Sequence, residues 1–118
     1  WCRRWAVVTT IFAPSNAINI TARLAGWCLI VIGDTKTPES SYSDKWVRSA
    51  SGESNLGGAV VFIGVEAQKR IAARSTFVKD LPWAHFSRKN IGCVRAPRGP
   101  PRRPPRWRRG RCWGRDGR

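Results

Sequence analysis

The chain has 118 residues, 42% of them hydrophobic, enough for one ordinary domain with a buried core. Its formal net charge of +15 is lopsided: residues 97–118 hold nine Arg against one Asp, whereas residues 1–96 hold 13 Lys plus Arg against six acids. The body is therefore only moderately basic, and its composition does not dictate a polyanion partner. No apolar run approaches the roughly 20 residues of a membrane-spanning helix, and no secretory leader pattern is present. With Trp1 first and no Met anywhere, the chain is expected to be a fragment, any targeting segment lying upstream.

In chain order, Ala6 to Phe12 is rich in Val, Ile and Thr and stops at Ala13 and Pro14, the pattern of a short buried strand ending in a turn. Ser15 or Asn16 then caps a predicted helix from about Ala17, with Ile18, Thr21, Ala22 and Leu24 near one face and Gly26 as its stop. Trp27 to Ile32 is a continuous apolar run closed by Gly33 and Asp34, as expected of an interior parallel strand covered on both faces. Strand, helix and strand within about 30 residues make a βαβ unit. Cys28 in that run reads as a small buried thiol, and the four Cys at positions 2, 28, 93 and 112 form no CxxC pair.

Pro38 to Gly58 is polar, Ser-rich and broken by glycine, so a long loop is predicted there, with a helical turn around Asp44 to Val47. Ala59 to Gly64 is a third apolar strand and Val65 to Ala73 a surface helix. After Leu81 and Pro82, a further helix is predicted with Ser87 as cap and Arg88, Lys89 and Asn90 in its opening turn, where backbone N–H groups favour anions.

In open α/β sheets, ligands sit outside the carboxyl ends of the strands, so Thr9, Thr10, the following turn and Asp34 should line one crevice. The chemistry on offer is recognition rather than proton transfer. A carboxylate can accept from ribose hydroxyls or a base imide, Arg88 and Lys89 can neutralise a diphosphate, and Asn90 can bridge hydroxyls. Each residue also has a plainer reading. Asp34 after a strand is a common turn former, Arg88 and Lys89 fit a solvated helix face, His85 a loop histidine, and Trp27, Trp46 and Trp83 core or loop anchors.

The blocks WAVVTTIFAP, GWCLIVIGDTKTP, VVFIGVEAQKRI and LPWAHFSRKNIG, in that order and spacing, resemble successive blocks of the STELLO-type glycosyltransferase family. The likeness covers residues 5–96. It implies a partial GT-A or Rossmann-like parallel sheet with flanking helices, a nucleotide-sugar donor, expected to be UDP-linked, and a Golgi membrane location for the whole protein. Where letters match, it points to Thr9, Thr10, Asp34, Lys36, Arg88, Lys89, Asn90 and Gly92, the first seven as nucleotide contacts. The pattern breaks after Gly92. A tyrosine-containing helix leading to an acidic metal-binding motif would be expected there, and CVRAPRGPPRRPP stands in its place. The divalent metal of the full-length family would then have no paired carboxylates in this chain, and no transferase activity is expected from it alone.

Residues 97–118, almost wholly Arg, Pro, Gly and Trp, form a second segment, expected to be disordered and to contact polyanions non-specifically. Their composition is that of a GC-rich stretch read out of frame. The competing functional class is accordingly a small basic protein that binds nucleic acid through this tail. Oligomeric state, donor sugar and acceptor are not encoded in these blocks.

Overall fold

A computed structural model describes residues 4–51 and 59–95. Their fold is mixed α/β: a three-stranded parallel sheet flanked by helices on both faces. Strands β1 (Arg4–Thr10), β2 (Trp27–Gly33) and β3 (Val60–Ile63) lie in the order β1-β2-β3. Thr9 stands opposite Ile32 and Thr10 opposite Gly33, so β1 and β2 end level with each other. The continuous apolar run of β2 follows from its central position, because Leu29, Ile30, Val31 and Ile32 alternate between two covered faces and are all fully buried.

One face carries α1 (Asn16–Ala22) and α2 (Asp44–Ser51). There Ile18, Ala22, Tyr42 and Ala50 cover Leu29, Val31 and Val60, with Trp46, Val47 and Phe62 at the margin. The other face carries α3 (Val65–Ala72), α4 (Thr76–Lys79) and α5 (Lys89–Arg95). Val78 and Ile91 join Ile30, Ile32 and Ile63, flanked by Ala67, Ile71, Ala72 and Leu81. Helix α5 lies close on the sheet because residue 92 is glycine, where an added methyl would collide with Val7 Cγ1.

Several local expectations need correction. The segment from Pro38 to residue 51 is more structured than a loop with one helical turn: a 3-10 turn at Glu39–Tyr42 leads into α2, which begins with the turn expected around Asp44 to Val47, while the loop expected over residues 52–58 lies outside the described residues. Tertiary packing makes it so, since buried Tyr42 stacks on Phe62 at 4.7 Å and meets Trp46 edge-on at 5.0 Å. The first strand stops at Thr10 because the Thr10 hydroxyl accepts the Phe12 N–H and turns the chain. Ser15 caps α1 by accepting from Ile18 N–H, but the helix ends at Ala22, and Gly26 (φ 75°) serves the turn into β2. Helix α4, capped by Ser75, was not foreseen. Before α5 the cap is His85, whose Nδ1 accepts from Ser87 N–H, so Ser87 is capped rather than capping. Cys28 is buried, as expected, yet no described cysteine is a free thiol. No described helix is long and apolar enough to cross a membrane. The expectations for residues 97–118 lie outside the described residues.

Candidate functional site

The carboxyl ends of β1 and β2 are joined by side chains that bond to backbone. The Thr37 hydroxyl donates to the Thr10 carbonyl at 2.5 Å and accepts the Asp34 N–H at 2.6 Å, while Thr37 N–H reaches the Asp34 carbonyl at 3.0 Å. This folds residues 34–37 back against the end of β1. The Tyr42 hydroxyl donates to the Phe12 carbonyl at 2.7 Å, fixing the turn after β1 from below. Burial raises the Tyr42 phenol above its ordinary value, partly offset by a hydrogen bond with Thr10.

Asp34 is 6% exposed, and its carboxylate is already engaged. It accepts from Thr35 N–H at 2.6 Å and from Ala84 N–H at 2.9 and 3.1 Å. Ala84 has φ 53°, a left-handed conformation costing a non-glycine residue about 1 kcal/mol, and the charge-assisted bonds to Asp34 offset that. Behind this loop lies Arg88, 2% exposed. Its Nε donates to Gln68 Oε1 and its Nη1 to the Leu81 carbonyl, both at 2.8 Å, and its guanidinium lies 3.5 Å from the Trp83 ring centre. Desolvation lowers the Arg88 pKa, with the Asp34 charge pulling the other way. Fully buried Gln68 completes the frame, its Nε2 donating to the Gly33 carbonyl at 2.7 Å and the Ile63 carbonyl at 3.0 Å. The ends of β2 and β3 and the 81–84 loop are thus one hydrogen-bonded unit.

Of the seven contacts expected from the sequence, Thr9, Thr10, Asp34 and Lys36 line a single crevice of about 430 Å³, together with Ile11, Phe12, Ala84, His85 and Phe86. Arg88 stands outside its wall, buried behind the loop, because its guanidinium is held by Gln68, Leu81 and Trp83. Lys89 is exposed, with its ammonium 5.6 Å from the Phe86 ring, and Asn90 is half-buried as the second residue of α5. Sequence reasoning missed Phe12 and Phe86, which leave 71% and 69% of their surface exposed at the crevice. It also missed Gln68, whose only signal was a polar residue on the stripe of Val65, Ile71 and Ala72. Phe86 stacks on His85 at 4.3 Å, so its ring is supported from one side.

The crevice therefore offers a cation at Lys36, a hydroxyl at Thr9 and two accessible phenyl rings, while the Thr10 hydroxyl is engaged with the Phe12 backbone. That set suits recognition of a planar, anionic ligand. Among the described residues, no three His, Cys, Asp or Glu side chains converge to hold a metal ion.

Over 89 residues the chain is 28% identical to the probable glycosyltransferase STELLO2 of Arabidopsis thaliana, a match covering 75% of this chain and 10% of that protein. The chain thus spans about a tenth of the relative's length, and the likeness supports a glycosyltransferase-like domain at the coarse level. No family model and no solved structure matches.

Proposed function

We propose that residues 5–96 are part of a STELLO-type glycosyltransferase domain and that the crevice beyond β1 and β2 receives the nucleotide of an activated sugar, a UDP-linked donor. The observation that carries this reading is the convergence of Thr9, Thr10, Asp34 and Lys36 on one crevice at the carboxyl ends of adjacent parallel strands, where α/β sheets bind ligands. Lys36 meets the diphosphate, with Lys89 adding charge beside Phe86. Thr9 and Thr10 border the ribose, and the Phe12 and Phe86 rings give the base an apolar surface. Asp34 and Arg88 serve indirectly, by holding the 81–86 loop that forms one wall. The chain alone binds without transferring, since the acidic metal-binding motif of the family has no counterpart after Gly92. In the whole protein the work would be done in the Golgi.

Titration of the full chain with UDP, with and without a divalent ion, tests the reading against a single-stranded oligonucleotide at low and high salt. Saturable UDP binding, weakened about tenfold in Lys36→Ala by loss of a charge-assisted contact, is expected. Lys36 is exposed, so the substitution leaves the fold intact. Absence of UDP binding, with salt-sensitive oligonucleotide binding that vanishes when residues 97–118 are deleted, would instead establish the nucleic-acid reading.

A further inference from the structure

A second groove lies along β3, bordered by α3 and the end of α5. It has a volume of about 610 Å³ and is lined by Val61, Ile63, Ala67, Ile71 and Ala73, with Arg70, Arg74 and Arg95 also on its wall. Among the described residues, no carboxylate lines it. Arg70 lies in the last turn of α3 and Arg74 in the turn that follows it, both are exposed, and neither forms an ion pair among the described residues. β3 pairs only with β2, so among the described residues its other side is an open strand edge.

From the open edge, the apolar floor and the exposed Arg70 and Arg74 together, we propose that this groove is a docking site for an extended acidic segment of a partner protein. The segment adds as a strand to β3, with apolar side chains over Val61 and Ile63 and carboxylates at the arginines. Backbone bonds to a free edge supply affinity, and alternate side chains supply selectivity. The charge complementarity of Arg70 and Arg74 favours an acidic occupant. The proposal is independent of the nucleotide crevice, with which the groove shares no lining residue.

The test uses the full chain and a labelled peptide, acetyl-ETVTVTE-amide, whose glutamates and valines share one face when extended. Three comparisons accompany it: ETTTTTE at equal charge, KTVTVTK with the charge reversed, and vesicles containing phosphatidylserine. The expected result is saturable binding of ETVTVTE, about tenfold tighter than ETTTTTE from burial of its valines, falling about fivefold in the Arg70→Glu, Arg74→Glu double variant. Both arginines are exposed, and retained thermal unfolding of the variant shows that the loss is local. Equal binding of ETVTVTE and ETTTTTE would reduce the effect to bulk charge on the Arg-rich segment and overturn the proposal. So would binding indifferent to the double variant, a stronger response to vesicles than to peptide that this variant abolishes, or a concentration-dependent dimer that excludes the peptide.

Discussion

The crevice at the carboxyl end of the sheet and the groove along β3 are built on different principles. At the carboxyl end, polar groups are satisfied by one another: Thr37 bonds Thr10 and Asp34, Asp34 bonds Ala84, and Gln68 bonds Gly33, Ile63 and Arg88. Along β3, the groove has an apolar floor and two exposed arginines, Arg70 and Arg74, without ion partners among the described residues. The first arrangement produces a rigid concavity before any ligand arrives, which reduces the ordering cost of binding a small molecule. The second leaves surface and charge unsatisfied, as a partner site does.

The sharpest way to break this contrast is to attack the buried frame. Arg88→Ala strips Gln68 and Leu81 of a donor and leaves Trp83 without its guanidinium, and should destabilise the fold by about 3 kcal/mol in denaturant titration. Arg88→Lys should recover only part, because an ammonium cannot reproduce the planar fork. Asp34→Ala should cost about 2 kcal/mol by orphaning the Ala84 and Thr35 N–H groups, and hydrogen exchange should accelerate at Ala84. If Ala84 stays protected in that variant, the loop is held by something other than the carboxylate.

A smaller effect is expected at Tyr42. Tyr42→Phe removes one hydrogen bond and should cost about 1 kcal/mol at neutral pH. Because the folded phenol titrates above its unfolded value of about 10, the folded state holds the proton more tightly there. Its contribution is complete below that pH and lost as pH rises toward the folded value. Alkaline melts of the wild type should therefore fall more steeply than those of Tyr42→Phe. The smallest stability change belongs to Lys36→Ala, within about 0.5 kcal/mol for an exposed side chain, despite its effect on nucleotide affinity.

Much of the fold was legible in the chain. The Val, Ile and Thr enrichment of β1, the unbroken apolar run of β2 and the glycine and aspartate after it placed the strands to within two residues, and with them Thr9, Thr10 and Asp34 at the crevice, while Lys36 came from the resemblance. What escaped had no local signal. The turn expected at Asp44 to Val47 is the start of α2, but its continuation to Ser51 and the 3-10 turn before it depend on Tyr42 and Trp46 meeting Phe62 and the sheet, contacts distant in sequence. The burial of Arg88 was equally hidden, since a basic run before a helix looks solvated until Gln68, twenty residues earlier, is brought beneath it.

The most direct measurement is amide chemical-shift mapping of the full chain during titration with UDP. A pre-formed nucleotide crevice requires saturable shifts at Thr9, Thr10, Phe12, Lys36 and the 84–86 turn, abolished together in Lys36→Glu while the rest of the spectrum is unchanged. Shifts confined to other parts of the chain, or none at saturating nucleotide, would contradict it.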